Sequence, residues 1–487
     1  VFLPGGLVVV GSDSHTCTAG ALDCFAVGLN KTETAYLWKT GKMWFRVPET
    51  VKITLSGKFR EGVYAKDLAL HILGMLRDED VDYTLVEYHG EGVKELSISD
   101  RMTIANISAE AGLKTSVFPP DDRLADYFGD YAVQGVWADE NAVYHKEFTL
   151  DLGQVMPLVM VTHQLNDVKS VAEAEMLEIQ QGLIGACSNG RIEDLRVVAR
   201  ILEGKRLASG FQLSVIPASY DIYIQAREEG LVDKITKAGA SVLGASCGPC
   251  LGSSHMLNAD TKRFITTTNS NSMQRMSEVG VEKYIASPAT VAATALTGKL
   301  SAEVEYSGEV YGYWATPVVA VRIDECDDRR RGYVWNYTDV NHISSGQLFE
   351  EKQSYRISIE DSRAMVPHLL AGLDASFATR VESGDIILAG EDFGCGKLIK
   401  HAAIGLVEAG VKAVIVKSVN RNFFRMALNH GLLIIVAPEI IEAYRSGDAV
   451  IVDISDGKVN VNEKEYCLPE YNPIILEMIA KKGIMGL

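Results

Sequence analysis

Three cysteines carry the most specific chemistry in this chain: Cys187, then Cys247 and Cys250 in the stretch Ser246-Cys247-Gly248-Pro249-Cys250. Thiolates grip soft metals and iron–sulfur clusters. Three of them leave one corner of a four-iron cluster without a protein ligand. An iron with an open position is a Lewis acid that can hold a hydroxyl and a carboxylate. On that reading the chain moves water on and off a hydroxy acid. Other uses of Cys-x-x-Cys stay open at this point. Structural zinc wants four ligands, and no second Cys-x-x-Cys or His-x-x-x-His pair occurs. A redox dithiol usually opens a helix, whereas this pair lies in a Gly/Ser/Pro-rich stretch between Gly244 and Gly252. Buried thiols also serve simply as small hydrophobes.

Such groups need rigid elements behind them. The apolar run Leu7–Val10 reads as a buried strand that ends in Gly11-Ser12-Asp13-Ser14-His15-Thr16. It delivers polar groups at its carboxyl end, where open α/β sheets bind ligands. Ala21–Leu29 reads as a buried helix, Val51–Leu55 as a strand and Ala65–Leu76 as an amphipathic helix. Helices are expected over Arg101–Gly112 and Val171–Gln180, and a strand over Leu158–Thr162 that leads to His163. Helix Ile192–Leu202 follows Cys187-Ser188-Asn189-Gly190. Strands Val215–Ala218, Ser241–Gly244 and Phe264–Thr268 and helices Tyr220–Glu229 and Ala289–Thr297 complete the first part. After the charged run within Ile323–Gly332, a second β-loop-α-β-α-β series runs through strand Asp385–Leu388, loop Glu391–Gly396 and helix Lys397–Ala409. Strand Val414–Lys417, helix Asn422–Asn429 and strand Leu433–Ala437 end it. Alternating elements of this kind predict an α/β fold.

The chain's 487 residues, 47% hydrophobic and 23% charged, are enough for about three globular domains without disulfide staples. Eight cysteines without a disulfide-framework spacing suit a reducing, cytoplasmic setting. The balance of 47 basic against 64 acidic residues, net −17, argues against general binding to nucleic acid or anionic membranes. It leaves room for an acidic small-molecule substrate in a local basic pocket. No apolar run is long enough for a membrane helix, and no signal peptide is evident. The chain opens Val1-Phe2-Leu3, without methionine, so targeting is not judged from this end.

Taken together, the motifs resemble the aconitase superfamily, and within it 3-isopropylmalate dehydratase and homoaconitase. The resemblance rests on Gly11-Ser12-Asp13-Ser14-His15-Thr16-Cys17-Thr18, on Ile184-Gly185-Ala186-Cys187-Ser188-Asn189-Gly190-Arg191, on Gly248-Pro249-Cys250-Leu251-Gly252 and on Asp392-Phe393-Gly394-Cys395-Gly396 with His401-Ala402 downstream. It implies aconitase-like α/β domains over 1–300 that are similar to a large subunit without its first domain. A linker over 301–332 follows, and then a swivelling, small-subunit-like domain over 333–487. It implies a 4Fe-4S cluster on Cys187, Cys247 and Cys250. The implied chemistry is a hydro-lyase acting on a 2-hydroxy di- or tricarboxylate. Asp13, His15 and Glu110 are its implied catalytic groups, with Ser14, Asn106, Asn189 and Arg275 at the substrate. Burial near the cluster could raise the Glu110 carboxyl and make it a proton donor. Read without the resemblance, Asp13 and His15 are turn residues after a strand, Glu110 is a helix-surface glutamate, Asn189 is a helix N-cap, and Arg275 is a solvated arginine.

The chain also departs from the family pattern. Ser270 stands where the family loop has an arginine. The small-domain loop, normally Gly-Ser-Ser-Arg-Glu-His, reads Gly396-Lys397-Leu398-Ile399-Lys400-His401. The serine that acts as base and a carboxylate-binding arginine are thus replaced. Lys397, after a glycine loop, is the candidate to take the proton or grip a carboxylate. The alternatives are a dehydratase of another malate-like acid, such as a methylated malate, or a non-catalytic paralogue that senses iron or oxygen. A separate N-terminal domain or subunit, and an oligomer, are compatible with all three.

Overall fold

The computed structural model describes residues 5–484 except 78, 80, 82, 130–134, 162–166, 175–176, 252–260, 270–280, 304–332, 397–398, 454–456, 463, 469–472 and 482. Ser270, Arg275, His163 and Lys397, with almost all of the expected linker, lie outside the described residues. The chain divides into two compact units, Val1–Leu29 with Arg46–Pro317, and Asn30–Phe45 with Val318–Leu487. Asn30–Phe45 therefore belongs with the C-terminal part, a piece the sequence reading did not separate from 1–300.

The first unit is built on two larger sheets. One runs, in spatial order, Ser241–Val242, Gln212–Ile216, Gln181–Gly185, Arg263–Thr266, Glu282–Ala286, Leu158–Val161 and Asp167–Ser170. Its first five strands are parallel and the last two are antiparallel to their neighbours. From Gln181–Gly185 the chain first adds strands on one side, then crosses over and adds them on the other. The strand order reverses there, and in open α/β sheets ligands bind outside the carboxyl ends at that point. All five residues of Gln181–Gly185 are buried, as a central parallel strand covered on both faces should be. Helix Ile192–Leu202 covers it with Ile192, Leu195, Val198, Ala199 and Leu202, one apolar stripe at helical spacing.

The other larger sheet is parallel, in the order Thr115–Val117, Leu85–His89, Thr50–Ser56 and Lys146–Asp151. Helix Ala65–Met75 shares its core, through Leu68, Ala69, Ile72 and Leu73. A separate parallel pair joins Val8–Gly11 to Phe25–Gly28.

The second unit has a parallel sheet of Val334–Tyr337, Ile386–Ala389, Ala413–Val416 and Ile434–Val436, and an antiparallel meander from Val450 to Cys467. Helix Lys31–Thr40, which the sequence reading missed, is capped at Asn30 by a reciprocal pair of hydrogen bonds with Glu33.

Three expected helices differ. Ala21–Leu29 is instead the end of a 3-10 helix, Ser14–Leu22, followed by strand Phe25–Gly28. Asp23 at φ 56° turns the chain, and pairing with Val8–Gly11 outweighs helix propensity. Helix Val171–Gln180 does not form over its described residues. Leu177 and Ile179 are drawn into backbone hydrogen bonds with Leu300 and Gly298, and Glu178 bridges to Lys299. The third helix is Ile98–Ile107 and stops short of the expected Gly112, where φ is 78°.

Candidate active site

Cys187 enters from the central strand. Gly185 has φ 126°, and a Cβ there would lie 1.9 Å from the carbonyl oxygen of Ile216. Only glycine fits this turn. Ala186 follows at φ 57°, an uncommon conformation for a residue with a side chain. The short helix Ala186–Asn189 then presents Cys187 to solvent. Arg191, itself buried, braces the turn by donating to the Cys187 carbonyl at 2.8 Å and to Thr103 Oγ1.

His15 and Asp13 come from the carboxyl end of Val8–Gly11, as expected. Asp13 caps the 3-10 helix that follows, accepting from the His15 backbone N–H at 2.7 Å. Its carboxylate is otherwise exposed, and Oδ1 lies 3.7 Å from His15 Nδ1. The turn role and the site position therefore coexist in one residue. His15 Nε2 faces Glu110 Oε1 at 3.5 Å. Because the helix ends at Ile107, Glu110 lies in the following turn with its side chain only 4% exposed. It is not the helix-surface glutamate of the alternative reading.

Electrostatics link this group to the sulfurs. Burial pushes the His15 imidazole down, yet hydrogen bonds to Cys187 and Glu110 prevail and hold it up at about 10. Although Cys187 reaches solvent, the protein atoms crowded around it partly desolvate its thiol and push it up, but His15 and Asn106 pull it below its ordinary value. Asn106, on helix Ile98–Ile107, donates to Cys187 Sγ at 3.6 Å and to Thr18 Oγ1 at 2.8 Å.

Cys247 and Cys250 are half-buried in the turn after Ser241–Val242, where the Cys250 N–H donates to the Cys247 carbonyl at 3.1 Å. Burial raises the Cys247 thiol, and the nearby charges of Cys187 and Asp13 add to that rise. Strands Gln181–Gly185 and Ser241–Val242 point the same way, so both cysteine segments leave the sheet at its carboxyl end.

A cluster on these three residues is compatible with their chemistry. None of the described cysteines is in a disulfide. Cys187 is held toward its ionised form, which is the ligand form of a thiol. Among the described residues no three His, Cys, Asp or Glu side chains converge tightly enough to share one metal ion. Thiolates that each serve a different corner of a cube stand further apart than ligands of a single ion.

Two expected substrate residues are placed differently from the rest. Ser14 is exposed at the start of the 3-10 helix. Asn189 is buried, with Nδ2 donating to Asp194 at 3.0 Å and to Thr103 at 3.3 Å. Among the described residues its Oδ1 has no hydrogen-bond partner. The N-cap of the following helix is Arg191, so the capping explanation of Asn189 does not hold.

Three further residues went unassigned in the sequence. Asn269, beyond strand Arg263–Thr266, donates to Asn106 Oδ1 at 2.5 Å and lies 3.4 Å from His15 Nε2. Its signal was position, since it follows the strand beside Gln181–Gly185 at the reversal of strand order. Lys66 donates to Asn269 Oδ1 at 2.7 Å. Its signal was a lysine in register with the buried Ala69, Leu70 and Leu73 of its helix. Lys283, buried on strand Glu282–Ala286, is pushed down to about 7 by burial, against the opposing pull of Cys250.

Comparison with known proteins agrees with this architecture. The model of the aconitase family (aconitate hydratase) matches residues 1–298, and that of the aconitase C-terminal domain matches residues 341–439. The chain belongs to the aconitase family. It is a hydro-lyase of that family, with an aconitase-like α/β fold. It is similar to the 3-isopropylmalate dehydratase large subunit of Clostridium kluyveri, 42% identical over 303 residues that cover 62% of this chain and 72% of that protein. The probable methanogen homoaconitase large subunit of Methanosarcina mazei is 41% identical over 302 residues, covering 61% and 76%. Among solved structures, a 3-isopropylmalate dehydratase from Methanocaldococcus jannaschii is 28% identical, covers 32% of this chain and 89% of its own, and has a TM-score of 0.28. Aconitase X of Thermococcus kodakaraensis, holo-form, is 14% identical over 56% and 64%, with a TM-score of 0.37. Among the described residues no helix is long and apolar enough to cross a membrane.

Proposed function

We propose that this hydro-lyase is an iron–sulfur enzyme that removes and re-adds water on a 2-hydroxy di- or tricarboxylate, of the type handled by 3-isopropylmalate dehydratase and homoaconitase. The observation that carries this reading is the convergence of His15 and Asn106 on the Cys187 sulfur, with Glu110 facing His15, at the reversal of strand order. Cys187, Cys247 and Cys250 would hold the cluster. A four-iron cluster bound there would supply a Lewis acid for a substrate hydroxyl and carboxylate.

The chain's own residues handle the protons. Glu110 Oε1 and His15 Nε2 face each other and can share one proton between them. That proton is available to a departing hydroxyl in one direction, and the pair takes it back in the other. Asp13 keeps the His15 segment in place through its backbone N–H, and its exposed carboxylate remains at the solvent side. Ser14 and Asn189 would contact the substrate, Arg275 would grip a substrate carboxylate by a bidentate pair, and Lys397 would act as base or as a second carboxylate grip. A reducing cytoplasm suits thiol-held iron.

A second reading, a dehydratase of a different malate-like acid, is favoured by one feature of the second unit. Ile399 occupies the place of the family's arginine and is 3% exposed, so it offers nothing to a carboxylate.

Anaerobic reconstitution with iron and sulfide, followed by enoate absorbance with 3-isopropylmalate, homocitrate, citrate and methylated malates, tests both readings. Turnover of one of the first three supports the main reading, and turnover of a methylated malate alone supports the second. A brown, cluster-bearing protein inert on all of them points to the sensor. A preparation that takes up zinc, or no metal, defeats the cluster assignment.

A further inference from the structure

Lys66 is 1% exposed and lies outside the motifs shared with the family. Burying an ammonium is unfavourable unless it is well paired. Burial lowers Lys66 to about 8, while Glu110 and Cys187 act in the opposite direction. Its nitrogen donates to Asn269 Oδ1 at 2.7 Å.

The cation dictates the sense of every bond that follows. An ammonium has only donors, so the Asn269 atom facing it must be the oxygen. Asn269 Nδ2 then points the other way and donates to Asn106 Oδ1 at 2.5 Å. With its oxygen committed, Asn106 must turn its Nδ2 to Thr18 Oγ1 and Cys187 Sγ. Amide oxygen and nitrogen are nearly the same size, so an asparagine chain without a fixed end can flip. Flipped, Asn106 would aim a carbonyl oxygen at the electron-rich sulfur. The four residues come from four different segments, helix Ala65–Met75, helix Ile98–Ile107, and the two segments after strands Gln181–Gly185 and Arg263–Thr266.

We propose that Lys66 is a positioning residue that, through Asn269 and Asn106, keeps an N–H donor aimed at the Cys187 sulfur. The wiring is a property of the protein without cofactor. Its consequence for a cluster rests on the function proposed above.

The first test uses the apoprotein. Because Cys187 is exposed, its alkylation by iodoacetamide at pH 7 can be followed by mass spectrometry of its peptide. Loss of the directed donor removes a hydrogen bond from the sulfur, so Lys66→Met should slow alkylation several-fold. Asn269→Leu should slow it by a similar factor. The double variant should be no slower than the slower single variant, because both break one chain. Asn269→Leu also serves should Lys66→Met fail to fold, with circular dichroism reporting the fold of each. Unchanged alkylation in the folded variants, or fully multiplicative effects in the double variant, would overturn the proposal.

The second test uses reconstituted protein. Hydrogen bonds to ligand sulfurs and nearby positive charge favour the reduced cluster, so Lys66→Met should shift the midpoint potential negative in an EPR-monitored redox titration. An unshifted potential would count against the relay. Should wild-type protein assemble no cluster, the cluster reading fails, and the alkylation series still decides the relay.

Discussion

At the scale of single residues, the proposed function makes the site a set of shared protons and directed donors. On the proposed function His15 and Glu110 act as a pair, so their variants should not combine independently. His15→Asn and Glu110→Gln are each expected to lower kcat by about 100-fold or more. The double variant should be close to the worse of the two, because removing one member already disables the pair. Steady-state rates on whichever acid is turned over provide the check. Much of this was legible in the sequence. The structure brings His15 and Asn106 to Cys187, with Asp13 and Glu110 beside His15. Asn189 was harder to read. Its neighbour Cys187 faces solvent while Asn189 turns inward to Thr103 and Asp194, and sequence adjacency does not say which way a side chain points.

At the scale of elements, the site depends on tight turns after strands. Gly185→Ala would force a Cβ against the Ile216 carbonyl and place alanine at a strongly positive φ. It should destabilise the first unit by about 3 kcal/mol or more, seen as a lower denaturation midpoint, and should impair iron uptake by moving Cys187. In the second unit, His430 follows helix Arg421–Asn429. Burial, with Lys400 adding to it and Glu33 opposing, pushes it down from 6.5 to about 4. The unfolded chain therefore takes up this proton first as pH falls. His430 contributes stability that is present above about 6.5 and lost as pH drops toward about 4. Melting of the second unit should fall across that window, and His430→Gln should flatten the fall. Helices with a clear apolar stripe, such as Ile192–Leu202, were readable from spacing alone. Val171–Gln180 misled because its helix-forming residues are recruited by the backbone of Gly298–Leu300, more than a hundred residues away.

At the scale of the molecule, two units of the chain each have their own cores. The second reaches back to the N-terminal part for helix Lys31–Thr40. Glu33 on that helix is buried and ion-pairs with Arg425, and it also accepts from Asn429 Nδ2 at 2.6 Å. Arg425 donates to the Trp44 carbonyl at 3.0 Å and stacks over the Trp44 ring. Breaking a buried pair by removing one partner leaves an uncompensated charge, so Arg425→Met should cost the second unit about 3–5 kcal/mol. Calorimetry should show that loss in the transition assigned to the second unit, with the first unit's melting little changed. A shift of both transitions together would show that the units do not unfold separately.

The sequence by itself determined the kinds of atoms available: three thiols in a recognisable family pattern, a polar loop after an apolar strand, and an α/β alternation. These are local properties, carried by residue type and by spacing within one element. Only the tertiary structure decided that Cys187 and Asn269 leave adjacent strands at a reversal of strand order. It also buried Lys66 behind them, ended the Glu110 helix early, and gave Asn30–Phe45 to the second unit. Those outcomes depend on which distant strands pair and which charges are desolvated together, and contacts between residues far apart in the chain leave no periodic trace in it.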